Sequence, residues 1–218
     1  MKKIETKTMV TLSMLAAVAF LSAWLIKINV FGFLSLEPKD TILVVTGLLF
    51  GPQAAVLTSV TVSFAEFLFV SSTGWIGLIM NIISSCAFAG TAALVYKRKR
   101  TLRGALIGLV LGTLLMTVLM LIWNYIITPL YMNTSREYVA SILPTVFLPF
   151  NLVKGALNTG LTLLLYKPLV RSLRIAHLLP ESYNTRGQRT ERSTVWGLVI
   201  AAVLLITCVM LILKWKTP

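Results

Sequence analysis

The sequence has 218 residues, of which 57% are hydrophobic and 12% are charged, whereas a soluble domain is about 45–50% apolar and about 25% charged. This excess excludes an ordinary soluble domain and predicts an all-α, polytopic membrane helix bundle, because a transmembrane helix needs about 20 apolar residues. The net charge of +13 does not indicate nucleic-acid binding, since the basic residues lie between apolar segments, as in membrane proteins.

Seven apolar segments predict seven helices, and polar stretches predict the connections between them. The helices are predicted at residues 8–26, 40–50, 53–70, 75–96, 104–127, 144–166 and 195–213, with loops at 27–39 and 128–143. The second segment is short for a full span at 1.5 Å per residue, so it should be tilted, re-entrant or broken against its neighbours. The predicted organisation is a six-helix membrane core (1–170), a basic cytoplasmic linker (171–194) and an additional transmembrane helix with a short tail (195–218).

The distribution of basic residues predicts the orientation. With the N-terminus in the cytoplasm, 14 of the 20 Lys and Arg residues lie in cytoplasmic segments, as the positive-inside rule requires. The protein is therefore expected in the plasma membrane as a multi-pass protein, with the bilayer around it and its N-terminus inside.

Polar side chains that should lie within the membrane predict a binding site. Polar residues are costly at membrane depth and usually have a function there. In the predicted orientation they gather in the outer half of the bilayer, which indicates a pocket that opens to the exterior. The predicted substrate-binding residues are Asp40, Asn81, Asn124, Tyr131, Asn151 and Lys154. Amides supply donors and acceptors and aromatic rings supply stacking surfaces, so a planar heterocycle with carbonyls and ring nitrogens would fit.

Each of these residues also has a structural interpretation. Lys154 could pair with Glu66, which is itself expected to be structural, and Asp40 could cap the second helix. The three amides could instead stabilise the helix bundle. Asn124 could cap a helix, Asn151 could hydrogen-bond to the backbone of a neighbouring helix, and Asn81 could link two membrane helices.

Two alanines on the first helix, Ala19 and Ala23, form a small-xxx-small pair that allows another helix to approach closely. Packing inside the chain and docking of a partner explain this spacing equally well.

The sequence contains few groups for catalysis or metal binding. It has one histidine, His177, seven acidic residues, and two cysteines, Cys86 and Cys208, inside apolar runs. It contains no phosphate-binding Gly-x-x-x-x-Gly-Lys-Ser/Thr loop and no zinc-binding motif. We therefore expect no enzymatic activity, no metal and no cofactor, and a partner must supply the energy for any transport.

Several motifs resemble the substrate-binding (S) component of energy-coupling factor (ECF) transporters. Residues 8–170 carry the resemblance, through 36–40 (LEPKD) and 47–52 (GLLFGP). The stretches 124–125 (NY), 129–131 (PLY) and 149–155 (PFNLVKG) resemble those of the S components for riboflavin.

The resemblance implies a six-helix fold, riboflavin or FMN as the bound substrate, and as partners one transmembrane coupling subunit and two ATPase subunits. It also implies that Asn124, Asn151 and Lys154 contact the isoalloxazine ring and that Ala19 and Ala23 dock on the coupling subunit. The seventh helix departs from the family pattern. Alternatives are an S component for another vitamin or precursor, a membrane structural or assembly protein, and a lipid-modifying enzyme.

Overall fold

The computed structural model of the protein describes residues 6–31, 34–71, 73–179 and 191–216. Within these ranges, five helical segments are long and apolar enough to cross a membrane: Thr6–Leu25, Pro52–Phe69, Gly74–Arg98, Leu102–Met132 and Arg136–Ile175. The predicted all-α membrane bundle is confirmed. Residues 180–190 of the predicted linker lie outside the described residues, as do Lys2 and Lys3.

From α1 to α8 the elements follow one another with short connections, and π-helical turns at Cys86–Gly90 and Leu143–Phe147 interrupt two of the long segments. The helices are α1 (Thr6–Leu25), α2 (Lys39–Phe50), α3 (Pro52–Phe69), α4 (Gly74–Ser85), α5 (Thr91–Arg98), α6 (Leu102–Met132), α7 (Arg136–Ile142), α8 (Leu148–Ile175) and α9 (Glu191–Lys216).

The first predicted loop contains a β-hairpin that the sequence pattern did not predict. Strands β1 (Ile28–Phe31) and β2 (Leu34–Leu36) pair antiparallel, with Ile28 opposite Leu36. Leu34 and Leu36 are buried and pack in one cluster with Phe147, Phe150 and Val153 near the start of α8. The hairpin therefore lies over the face of α8 that carries the predicted binding residues.

The short helix α2 lies at the centre of the bundle. Ten of its twelve residues are buried, and it contacts α1, α3, α5 and α8. Gly51, with φ of 97°, ends it, and Pro52 begins α3 directly afterwards. Because neighbouring helices cover α2, a helix too short to span the bilayer can still keep its backbone sheltered at membrane depth.

Two predicted boundaries are wrong, both because helices continue through proline. The sequence predicts a loop over 128–143, but α6 includes Pro129 and continues to Met132, and Asn133, whose backbone is left-handed, forms its C-cap. A proline costs one backbone hydrogen bond, which neighbouring groups in a membrane bundle can replace. For the same reason α8 includes Pro168 and extends beyond its predicted end at residue 166 to Ile175.

Two glycines bring α6 close to the preceding membrane segment. A Cβ atom on Gly108 would lie 2.7 Å from the carbonyl oxygen of Ala92, and one on Gly112 would lie 2.6 Å from that of Phe88. Small residues permit such close packing between membrane helices, where van der Waals contact provides much of the association energy.

The additional helix α9 packs against α8. Leu205 approaches Gly160 of α8, and the Cys208 thiol lies 3.8 Å from the Val153 carbonyl oxygen. The other side of α9 exposes Val203, Ile206 and Met210, whose exposed fractions exceed half. This pattern is expected of a helix that faces the bundle on one side and lipid on the other.

Candidate functional site

A buried ion pair connects α2 and α8. The Lys154 ammonium lies 3.7 Å from Oδ2 of Asp40, and neither side chain is more than 9% exposed. Ser85 at the end of α4 donates a 2.6 Å hydrogen bond to Oδ1 of the same carboxylate. Three helices thus converge on one carboxylate, whose Oδ2 accepts no hydrogen bond from the part of the chain that the structure describes.

This geometry corrects two structural interpretations. The expected role of Asp40 as the cap of the second helix is wrong: α2 is preceded by Pro38, has no side-chain cap, and includes Asp40 in its first turn. The alternative in which Lys154 pairs with Glu66 is also wrong, because Lys154 pairs with Asp40 and Glu66 with Lys39.

A second charged cluster lies beside the first. Lys39 is fully buried and pairs with Glu66 on α3 and, at 3.2 Å, with Glu37. Asn81 on α4 donates a 2.9 Å hydrogen bond to Glu66. Asn81 therefore connects two helices, as its structural interpretation expects.

Glu37 lies in the connection before α2, at the edge of this cluster. Burial raises the pKa of its carboxyl group, but the charges of Lys39 and Lys154 and a hydrogen bond from Ser35 outweigh that effect. The net pKa is below the usual glutamate value, so Glu37 is an anion at neutral pH. A third lysine, Lys27, lies 3.9 Å from it.

Asn158 joins the two clusters. Its amide nitrogen donates to the carbonyl oxygens of Lys154, at 3.1 Å, and Glu37, at 3.4 Å, and its oxygen accepts from Thr41 at 2.9 Å. All of its side-chain hydrogen-bonding groups therefore have partners, and they hold α2, α8 and the connection before α2 in register.

Asn124 and Asn151 are buried but bond within their own helices. Asn124 donates to the Met120 carbonyl at 2.7 Å and accepts from Thr128 at 2.8 Å. Asn151 donates to the Phe147 carbonyl at 2.8 Å. Neither bonds to the Asp40–Lys154 pair in this conformation, whereas Asp40 and Lys154, both predicted site residues, contact each other directly.

Tyr131 lines a narrow crevice between α4 and α6. The crevice has a volume of about 10 Å³, and Thr73, Trp123 and Thr128 also line it. A volume of this size holds about one water molecule. A ring system would enter here only if the outer ends of these helices moved apart.

The expected docking role of Ala19 and Ala23 does not fit their positions. They are 0% and 3% exposed and belong to the interior face of α1. Packing inside the chain therefore explains their spacing. The exposed face of α1 has a different pair of small residues, Ser13 and Ala17.

Four functional or supporting residues were missed as members of the site: Glu37, Lys39, Thr41 and Ser85. Lys39 was expected in an exterior loop, but it is completely buried. The sequence does indicate that these residues are buried together, because residues 37–40 place three charges immediately before an apolar stretch. Charges in such a position are expected to pair with one another.

The side chains of the site are suited to binding a polar ligand. It offers ammonium and amide donors together with carboxylate and amide acceptors, enclosed by apolar side chains. Within the described ranges, no group of three His, Cys, Asp or Glu residues could hold a metal ion. Fold and site together define a multi-pass membrane protein with a buried polar site for a small solute.

The family of the protein follows from comparison with known sequences. The sequence model of the family described as "ECF transporter, substrate-specific component" matches residues 7–166. The chain belongs to this family. It is therefore the substrate-binding component of an ECF transporter and not an enzyme.

Similar proteins agree with this assignment. The chain is 29% identical to "Riboflavin transporter RibU" of Staphylococcus aureus (strain TCH60), over 78% of the chain and 94% of the relative. It is 27% identical to "Riboflavin transporter FmnP" of Bacillus subtilis (strain 168), over 80% and 99%. A solved structure described as "Structure and mechanism of the S component of a bacterial ECF transporter" has a TM-score of 0.65 and 30% identity, over 78% of this chain and 99% of that one.

Proposed function

We propose that the protein binds riboflavin, or its phosphate FMN, at the exterior side of the plasma membrane and delivers it into the cell. The observation that carries the proposal is that two relatives named as riboflavin transporters align over 94% and 99% of their own lengths. No cofactor is needed for this function, since the flavin is the substrate.

The Asp40–Lys154 pair supports a flavin ligand. The imide edge of an isoalloxazine ring presents two carbonyl acceptors on either side of one N–H donor. Lys154 offers up to three N–H donors, and Asp40 has a buried oxygen without a hydrogen-bond partner among the described residues. The pair can therefore accept the ring N–H and donate to a carbonyl, while Asn151 and Asn124 contact other polar atoms of the ring.

Access to the pair requires movement of the segment above it. Leu34 and Leu36 of the hairpin pack against Phe150 and Val153 of α8, one to four residues before Lys154. In our proposal, withdrawal of the hairpin opens the site to the exterior and its return encloses the ligand. The N-terminus is then cytoplasmic, as the basic residues predict.

The energy for transport comes from partners in our proposal. The sequence has no phosphate-binding loop, so ATP hydrolysis takes place on two ATPase subunits and reaches this chain through the coupling subunit. Because Ala19 and Ala23 are buried, we propose the exposed face of α1, with Ser13 and Ala17, as the surface that meets the coupling subunit.

A ligand screen tests the proposal directly. Purified protein would be titrated with riboflavin, FMN, thiamin, biotin and folate, and flavin binding would be followed by fluorescence quenching and the others by calorimetry. We expect tight binding of a flavin alone. Binding of another vitamin with no flavin binding would contradict the proposed substrate but not the family.

A transport assay tests the proposed delivery of riboflavin into the cell with energy from the partner subunits. Cells that lack other riboflavin uptake would express the chain with or without the coupling and ATPase subunits. We expect labelled riboflavin to accumulate only when all subunits are present. Uptake by the chain alone would contradict dependence on an external ATPase.

A further inference from the structure

Two adjoining cavities lie at the end of the bundle that carries the basic connection between α5 and α6. The larger, of about 380 Å³, lies between α2, α6, α8 and the additional helix α9. The smaller, of about 140 Å³, lies beside the Gly51–Pro52 turn. Leu48 and Tyr96 line both cavities, so the two share a wall.

The two cavities differ in chemistry. The larger is lined mainly by apolar side chains, among them Leu102, Ala105 and Leu163. Two basic residues, Lys97 and Arg100, are among those that line the smaller cavity. An apolar cavity beside one with cationic lining residues matches a molecule with a hydrocarbon chain and an anionic head.

The larger cavity depends on a part of the chain outside the family match. The match ends at residue 166, whereas Lys167, Pro168, Gly197 and Leu198 complete the cavity wall. The helix that departs from the family pattern therefore creates a chamber in the size range of ligand sites, roughly 300–1,000 Å³.

We propose that these cavities bind one anionic phospholipid, with an acyl chain in the chamber and the phosphate group at Lys97 and Arg100. Basic pockets between helices at the cytoplasmic surface are suited to anionic lipid headgroups. Tyr96, at the boundary of the two cavities, has the amphipathic ring that is common at membrane interfaces. The site is separate from the Asp40–Lys154 pair.

The headgroup determines the selectivity of this site. An acyl chain gains no hydrophobic free energy when it leaves the bilayer for an apolar cavity, because lipid tails are as apolar as leucine. Each Lys or Arg near the headgroup should favour an anionic lipid about fivefold. The pair Lys97 and Arg100 should therefore contribute roughly 25-fold.

The test uses the full chain in nanodiscs of equimolar phosphatidylglycerol and phosphatidylcholine, with bound lipid measured by native mass spectrometry after release. We expect one retained phosphatidylglycerol per chain. In the variant Lys97→Gln/Arg100→Gln, the preference for phosphatidylglycerol over phosphatidylcholine should fall roughly 25-fold. The matched control Arg98→Gln/Lys99→Gln removes the same charge from adjacent exposed positions. This control should keep the preference for phosphatidylglycerol.

A second pair of variants tests the chamber. The Cβ of a side chain at Gly197 would lie 3.8 Å from Leu102, so Gly197→Phe should fill the cavity and expel the acyl chain. Val203→Phe, on the lipid-exposed side of α9, is its control. Retention of lipid by Gly197→Phe would overturn the proposed position of the chain.

Other outcomes would also overturn the proposal. Equal loss in both charge variants would indicate general attraction to the surface. Loss only in Arg171→Gln/Arg174→Gln would place the headgroup in the neighbouring groove along α8 that those residues line. Displacement of the lipid by inorganic phosphate would indicate a small-anion site. Because bound lipid is measured without any vitamin, the result is independent of the proposed substrate.

Discussion

Lys154 and Asp40 form a buried ion pair at 3.7 Å across the packed faces of α8 and α2. The distance exceeds that of a hydrogen bond, so the two groups stabilise each other by charge while each keeps hydrogen-bonding capacity. A pair of this kind can be structural and still bind a ligand, and the two roles predict different results on mutation.

The structural role predicts a non-additive stability effect. Lys154→Met alone leaves the Asp40 carboxylate charged and buried, which should cost about 3–5 kcal/mol, whereas Lys154→Met/Asp40→Asn removes both charges and should recover most of that loss. Thermal and denaturant unfolding in detergent would measure both. Equal stability of the single and double variants would show that the pair does not couple α2 to α8.

The binding role predicts discrimination against one flavin analogue. Methylation of the imide nitrogen removes the donor that we assign to Oδ2 of Asp40 and leaves that oxygen unsatisfied. Affinity should fall by about 1–3 kcal/mol, or roughly 5- to 150-fold. Titration of the native protein with riboflavin and N3-methylriboflavin measures this without any mutation. Equal affinities would exclude Asp40 from contact with the imide.

Asn151→Ala should weaken riboflavin binding while the protein remains folded. Its only hydrogen bond among the described residues is to Phe147, one turn earlier in the same helical segment. Loss of this bond should cost little stability, whereas the loss of a ligand contact should cost about 1–3 kcal/mol. Leu152→Ala, the neighbouring residue on the exposed side of α8, is the control. Flavin fluorescence titration gives both affinities, and similar values would remove Asn151 from the site.

Close packing predicts opposite outcomes for two glycines. Gly112→Ala would place a Cβ 2.6 Å from the Phe88 carbonyl oxygen, and the overlap should cost about 1–3 kcal/mol. At Gly90 the nearest atom would be 3.5 Å away, so Gly90→Ala should be neutral or slightly stabilising. Unfolding temperatures would compare them, and equal destabilisation would mean that α6 does not approach Phe88 this closely.

The sequence predicts the membrane class and the long helices because hydrophobic length is a local property. It does not predict which charges meet, because that depends on packing between distant segments. Lys39 illustrates the limit: its neighbours Glu37 and Asp40 are visible in sequence, but its partner Glu66 lies on the next helix. Which face of α1 is buried is equally hard to predict from the sequence, since the four alanines on α1 would allow more than one face to pack against the bundle.

The buried and exposed faces of α1 carry alanines that should respond differently to substitution. Ala19 is 0% exposed and packs in the main core with Val44 and Ala55, whereas Ala17, two residues earlier, is exposed. Ala19→Trp should therefore overpack the core and reduce the yield of folded protein, together with riboflavin binding. Ala17→Trp should fold and bind riboflavin normally, because its side chain points away from the bundle.

The two variants then separate packing from docking. If the exposed face of α1 meets the coupling subunit, Ala17→Trp should fail to copurify with the coupling and ATPase subunits and should not support uptake. Normal assembly and uptake by Ala17→Trp would place the docking surface elsewhere. A folded, binding-competent Ala19→Trp that fails only in assembly would instead restore the docking role of the buried face and would require α1 to rotate in the complex.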